Sequence, residues 1–216
     1  MTALSPSQFK SDSGKRYTIL KELGNGFGRN VCQDQNGQLF VIKLLTNRTL
    51  KREVDVLTAA EQKQCHHFAR LQDQGTFSGI NLGCKPRPFI IMDYLGRNLE
   101  FLYSFVADAR DKFPNGFTES TCLRVAVDTL NAIEELHYCG FISRDIKPDN
   151  FVCGRGGYPS TGCMYIIDFD MSARYVNADG ELLTIQSRNG IAGNIVYCSL
   201  AQHRCQVCLL TQTSVN

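Results

Sequence analysis

Residues 144–150 read Arg-Asp-Ile-Lys-Pro-Asp-Asn, and residues 165–169 read Tyr-Ile-Ile-Asp-Phe. The first stretch contains D-x-K-x-x-N directly after a long amphipathic segment. The second sets a carboxylate at the end of an apolar, strand-like run, eighteen residues beyond Asn150. These residue types in this order fit phosphoryl transfer. A carboxylate at Asp145 can orient an attacking hydroxyl and take its proton. Lys147, two residues on, can neutralise a migrating phosphoryl group. The amide oxygen of Asn150 and the carboxylate of Asp168 are the hard oxygen donors that Mg²⁺ prefers. A charged surface loop can show the first spacing by chance; the whole set in this order is far harder to obtain that way.

Upstream of this stretch, Leu123, Ala126, Val127, Leu130 and Ile133 recur at helical spacing. Thr118 is a candidate N-cap, Glu119 sits in the first turn and Gly140 marks the stop, which predicts a long helix delivering the chain to Asp145. The first half has a different character. Residues 17–23 (YTILKEL), 31–34, 38–45 (QLFVIKLL) and 89–92 (FIIM) predict strands, and Leu50, Val54 and Leu57 predict a helix over 50–60. Asn36-Gly37 between two strand-like runs predicts a hairpin turn with both positions at positive φ. The pattern is α+β in two parts, with a boundary near residues 93–96.

Lys43 ends the run Phe40-Val41-Ile42, and Glu53 on the next helix offers it a carboxylate partner. Between two strands lies Gly24-Asn25-Gly26-Phe27-Gly28-Arg29-Asn30-Val31, where glycines would let backbone amides approach phosphates closely. A lone strand-end lysine is ordinarily a solvated edge charge, and glycine-rich turns are common. Their joint placement is what points to a nucleotide.

Composition sets the outer bounds. The chain has 216 residues, 43 % hydrophobic and 20 % charged, which suits a globular protein with a substantial core rather than a disordered one. A net charge of +2 gives no sign of a nucleic-acid-binding tail. No apolar run reaches the ~18–20 residues of a membrane helix, and the start MTALSPSQFK lacks the apolar core of a secretory signal. The expectation is an intracellular protein, with no nucleic-acid or membrane partner. Its ten cysteines are scattered, so they read as reduced thiols; only Cys205 and Cys208 have CxxC spacing, with His203 the sole candidate ligand nearby.

The order of glycine loop, strand lysine, helix glutamate, catalytic-loop aspartate and Asp-Phe resembles the eukaryotic protein kinases, over roughly Tyr17 to His203. Residues 50–54 (LKREV), Met92 followed by 95–99 (LGRNL), 149–151 (DNF) and 193–203 (GNIVYCSLAQH) are closest to the casein kinase I and tau-tubulin kinase group. The resemblance implies a flexible arm at 1–16, a nucleotide-binding N-lobe at 17–92, a partial C-lobe at 93–204 with hinge, catalytic loop and activation segment, and a divergent tail at 205–216. It implies ATP and Mg²⁺ as cofactors and a protein substrate carrying Ser or Thr. Asp145 would be the base, Lys147 would meet the γ-phosphate, and Asn150 and Asp168 would hold the metal. Gly24, Gly26, Gly28 and Val31 would form the phosphate loop. Lys43, paired with Glu53, would hold the α- and β-phosphates. Met92 would be the gatekeeper, Asp93 to Leu95 the hinge meeting adenine through its backbone, and Val41 and Ile42 the lining of the adenine pocket.

The sequence also departs from the pattern. Arg29 stands at the loop's third glycine, with Gly28 one residue early. Ser143 replaces the histidine before Arg-Asp, and Asp170 the glycine after Asp-Phe. Asn194 replaces a threonine whose hydroxyl would brace Asp145 and Lys147. Val196 stands where the subgroup has arginine for acidic or primed substrates, and the link from Lys43 to Glu53 is short. After His203-Arg204 the family continues into further helices, whereas this chain reads CQVCLLTQTSVN. Loss of those helices would uncover the apolar face of the long helix. Three readings follow: an active Ser/Thr kinase, a non-catalytic ATP-binding scaffold, and a truncated regulatory product.

Overall fold

Tyr17, Cys32, Phe40, Ile42, Phe89 and Ile91 pack as one buried cluster on a single face of a sheet. The computed structural model describes residues 8–23, 28–77, 86–109, 111, 116–156, 162–177, 179–183 and 193–203. In it the strands β1 (Gln8–Lys10), β2 (Arg16–Glu22), β3 (Arg29–Asp34), β4 (Leu39–Leu44), β5 (Leu71–Phe77) and β6 (Arg87–Asp93) form an antiparallel sheet in the order β1-β2-β3-β4-β6-β5.

Helix α1 (Asn47–Gln62) enters after β4. Thr46 caps it: its hydroxyl accepts from the Thr49 N–H and the Thr49 hydroxyl accepts from the Thr46 N–H, satisfying two otherwise orphaned donors. That reciprocal cap starts the helix three residues before the apolar stripe does. Val56, Leu57 and Ala60 bury its inner side in the larger core, with Ile90, Phe68, Phe151, Ile166 and Phe169.

Two sequence expectations change here. The hairpin between β3 and β4 is wider than a two-residue turn. Asp34 accepts from the N–H groups of Asn36 and Gln38, each at 2.9 Å, and of the pair Asn36-Gly37 only Gly37 (φ 78°) is left-handed. The Asp34 carboxylate does locally what a second positive φ would otherwise do. Within the expected flexible arm, Gln8–Lys10 form strand β1, paired with β2. Phe9 stacks on Tyr17 and meets Phe89 edge-on, while the Asp73 carboxylate accepts from Ser11 (2.7 Å), Ser13 (2.5 Å) and Tyr17 (3.4 Å). Burial works against the Asp73 charge, but the serine hydroxyls and the Gln74 N–H hold its carboxyl below the usual range.

Past β6, α2 (Leu99–Asp108) is capped by Asn98, whose side chain accepts from the Phe101 N–H at 3.0 Å. Helix α3 (Glu119–Tyr138) is capped by Thr118 and ends before Gly140 (φ 86°). Its second half is buried through Ala132 and Leu136 with Ile133 alongside, and in its first half Val125 packs against the same core. Of the stripe read from the sequence, Leu123, Val127 and Leu130 are exposed by 61 %, 55 % and 66 %, so that face of the helix stands clear of the core. The far end of α1 is tied to α3. Glu135 accepts from the N–H groups of His66 (3.0 Å) and His67 (2.9 Å), Lys63 donates to the Tyr138 carbonyl (2.5 Å), and the Cys65 and Cys139 sulfurs lie 3.6 Å apart.

Short strands finish the framework: β7 (Phe141–Ile142) pairs with β10 (Ala173–Arg174), and β8 (Phe151–Cys153) with β9 (Met164–Ile166). The last described element is α4 (Leu200–His203). Among the described residues no helix is long and apolar enough to cross a membrane. Cys205, Cys208 and the tail lie outside the described residues, as do Gly24 and Gly26.

Candidate active site

The loop from Ser143 to Asn150 is held at both ends by buried strands, β7 before it and β8 after it. Arg144 sits at φ 62°, a conformation costly for a residue with a Cβ, and its Nε donates to the Met171 carbonyl at 2.6 Å. Asp145 is held from three directions. One oxygen accepts from Lys147 Nζ (2.7 Å) and Asn150 Nδ2 (3.1 Å), the other from the Asn194 N–H (3.0 Å). A carboxylate fixed this way is aimed rather than free to rotate.

Two of the departures are compensated locally. Ser143, where the pattern has histidine, accepts from the Asp145 N–H at 3.2 Å and so braces the loop. Asn194 reaches Asp145 through its backbone, while its side chain accepts from the Val196 N–H at 2.9 Å. The missing threonine hydroxyl is thus replaced by an amide. Gly193 makes this approach possible at φ 79°: a Cβ there would collide with the Arg144 carbonyl oxygen and lie 2.9 Å from Asp145 Oδ1. On the phosphoryl-transfer reading of the sequence, Gly193→Ala is accordingly expected to cut that reaction about a hundredfold, the typical penalty for misplacing a reacting group by about 1 Å. Steady-state kinetics beside a nucleotide-binding titration check this; kcat should fall and nucleotide affinity hold.

Strand β9 ends at Ile166, and the next residue, Ile167, donates its N–H to the Asn150 carbonyl at 2.9 Å. That hydrogen bond lashes the two strand ends together, so Asn150 and Asp168 are positioned by one hairpin. Asp168 itself is left-handed at φ 69°. Its Oδ1 accepts from Lys43 Nζ at 2.8 Å and its Oδ2 pairs with the Arg29 guanidinium. Burial alone would raise its carboxyl, but Lys43 and Arg29 hold it below the ordinary carboxylate range.

Lys43 is the hub of a buried charge cluster. Its ammonium pairs with Glu53 and reaches Asp170 Oδ1 at 3.0 Å as well as Asp168. Burial opposes its charge, yet the three carboxylates outweigh that and raise its pKa. Glu53 is 1 % exposed and also accepts from the Phe169 N–H at 2.9 Å. Burial pushes its carboxyl up against the pull of Lys43. Arg52, one residue before it, donates to the Asp170 carbonyl at 2.7 Å. Sequence reasoning placed Lys43 and Glu53 together, but not the Asp170 carboxylate on Lys43 nor Arg29 on Asp168.

Carboxylate oxygens of Glu53, Asp168 and Asp170 all lie within 4.8 Å of one another. All three offer oxygen donors, and Asn150, expected from the sequence as a further ligand, has its amide nitrogen committed to Asp145 and its oxygen left to offer. Such a set fits a hard divalent cation of the Mg²⁺ class rather than zinc. Asp170→Gly is expected to weaken Mn²⁺ or Mg²⁺ binding severalfold, because a divalent ion offsets the repulsion between neighbouring carboxylates. Metal titrations of the two forms that superimpose would show Asp170 to be neutral.

A cleft of about 740 Å³ opens beside this cluster. Its apolar lining includes Val41, Ala69, Met92, Leu95, Val152 and Ile167, and Lys43, Arg29 and Asp168 are among its charged lining. Ile42 does not line it, contrary to the sequence expectation. Side chains alternate along β4, so Val41 faces the cleft while Ile42 joins the opposite cluster with Phe40. Val31 pairs with Val41 across the strands but is itself buried and outside the cleft lining. Asp93 lines the cleft with its carboxylate engaged by the Arg70 N–H (3.0 Å) and Gln72 Nε2 (2.7 Å). Gly28, at φ 109°, accepts from the Leu44 N–H at 2.6 Å and closes the start of β3 onto β4.

Comparison with known families matches the protein kinase domain over residues 17–199. Among curated relatives, a probable casein kinase I homolog of Encephalitozoon cuniculi is 28 % identical over 195 residues, covering 87 % of this chain and 55 % of its own length. Casein kinase I homolog 1 of Saccharomyces cerevisiae is 32 % identical over 216 residues, covering 94 % of this chain and 38 % of its own. A probable serine/threonine-protein kinase of Dictyostelium discoideum is 26 % identical over 195 residues, covering 87 % and 36 %. The chain thus spans between about a third and just over half of these relatives. With 183 of its 216 residues inside the matched domain (17 to 199 inclusive), the chain belongs to the protein kinase family.

Proposed function

We propose that this chain carries the catalytic apparatus of a Ser/Thr protein kinase of the casein kinase I type, moving the γ-phosphoryl group of ATP to Ser or Thr hydroxyls of intracellular proteins. One observation carries the reading: Asp145, aimed by Lys147, Asn150 and the Asn194 amide, is tied through Asn150 to Ile167, which lines the same cleft as Lys43 and Asp168. The charge of Lys147 acts on Asp168, which joins the two halves of the site.

In this reading the apolar cleft takes the adenine ring, between Val41 and Met92 on one side and Val152 and Ile167 on the other. The backbone from Asp93 to Leu95 meets its edge. Lys43 holds the inner phosphates, and Glu53 keeps that ammonium in place. Asp145 accepts the proton of the acceptor hydroxyl, and Lys147 balances charge on the group in transit. Asn150 and Asp168 would hold Mg²⁺, which when bound neutralises phosphate charge. Residues 17–92 would form the nucleotide lobe, and residues 93–204 would belong to the substrate lobe.

Incubating the full chain with γ-labelled ATP, Mg²⁺ and a mixture of Ser- and Thr-containing peptides tests this. Label should appear on hydroxyls and disappear with chelator. ATP binding without any transfer would instead support the non-catalytic scaffold.

A further inference from the structure

The β3–β4 register pairs Arg29 directly with Lys43, so the two side chains leave the sheet on the same face. Both reach Asp168, one oxygen each, and both line the same cleft. The Arg29 backbone is fixed: its carbonyl accepts from the Leu23 N–H at 2.8 Å, and the preceding Gly28 carbonyl from Leu44 at 2.6 Å. Its side chain is 39 % exposed, against 8 % for Lys43. A fixed base under a long, half-exposed side chain can swing without disturbing the strand.

We propose that Arg29 is a phosphate-binding residue of the nucleotide site, which without nucleotide rests on Asp168 and blocks that carboxylate from a divalent cation. The inference rests on the nucleotide reading above and adds to it a second cation beside Lys43. The chemistry favours the exchange. A guanidinium offers a planar fork that suits phosphate oxygens as well as carboxylate oxygens. A triphosphate entering the cleft brings a denser anion than Asp168 alone. Once Arg29 turns to it, Asp168 Oδ2 is released for the metal that accompanies the nucleotide. One side chain thereby couples arrival of the phosphates to exposure of a metal ligand, and an arginine at the loop's third glycine position ceases to be a defect.

The test uses the full chain as wild type, Arg29→Ala and Arg29→Lys. Calorimetry measures adenosine and metal-free ATP, and Mn²⁺ binding is followed without nucleotide by electron paramagnetic resonance. Adenosine should bind all three forms alike, which also reports that each is folded. The preference for ATP over adenosine should fall about ten- to hundredfold in Arg29→Ala, the range for a lost charge-assisted contact. Arg29→Lys, keeping the charge without the fork, should fall between. Mn²⁺ should bind Arg29→Ala severalfold more tightly than wild type. An unchanged ATP-to-adenosine preference, or unchanged Mn²⁺ affinity, would overturn the proposal. A wild type that binds neither adenosine nor ATP would instead remove the nucleotide reading itself.

Discussion

Asp145→Asn should lower phosphoryl transfer to a Ser or Thr peptide by about 10²–10⁴-fold, the usual worth of a positioned general base. The substitution keeps the shape, so Lys147 and the Asn194 amide lose a charged acceptor but not their places. Asparagine cannot take the proton of the attacking hydroxyl. Nucleotide affinity should be nearly unchanged, because Asp145 does not line the cleft. The measurement is kcat with saturating peptide beside a direct ATP titration. Transfer within a factor of a few of wild type would take Asp145 out of this role.

Lys43→Met should be the most damaging single change to both stability and nucleotide binding. It strands Glu53, 1 % exposed, with Asp168 and Asp170 close by and no ammonium among them. Removing one partner of a buried pair costs about 3–5 kcal/mol, since the remaining charge is left uncompensated. The double variant Lys43→Met with Glu53→Leu should recover much of that loss, as apolar replacements of buried pairs often do. It should not recover ATP binding, because the phosphate-binding cation is still absent. Denaturant midpoints for the two variants separate these effects; a double variant no more stable than the single one would show that the pair is not the source of the loss.

The parts of this site that were legible in the sequence are those whose chemistry is local. D-x-K-x-x-N lies on one loop, and its three side chains meet because they are only five residues apart end to end. Thr118 is visible as a cap because capping needs only its own helix turn. The Arg29 contact was not legible, because it depends on which residue of β4 faces Arg29, and register is set by the whole hairpin. The placement of Ile42 on the face away from the cleft was hidden for a related reason. Both faces of β4 are covered, one by the cleft and one by aromatic residues, so its sequence is largely apolar and shows no clean alternation. Strand β5, reading LQDQGTF, gives little apolar signal because it is an edge strand. Helix α2 was missed because it buries none of its residues, and its aromatics Phe101, Tyr103 and Phe105 face outward.

The fastening of α1 to α3 makes the end at Gln62 a fulcrum, with Glu53 partway along the helix. Nine residues separate them, about 14 Å at helical rise, so a rotation of about 5° at the fulcrum carries Glu53 through about 1 Å. The pairing of Glu53 with Lys43 is therefore governed by the angle of α1 rather than by its distance from the sheet. A turn of this helix by a few degrees would lengthen the Glu53–Lys43 contact and, with it, the hydrogen bond that the same carboxylate accepts from the Phe169 N–H.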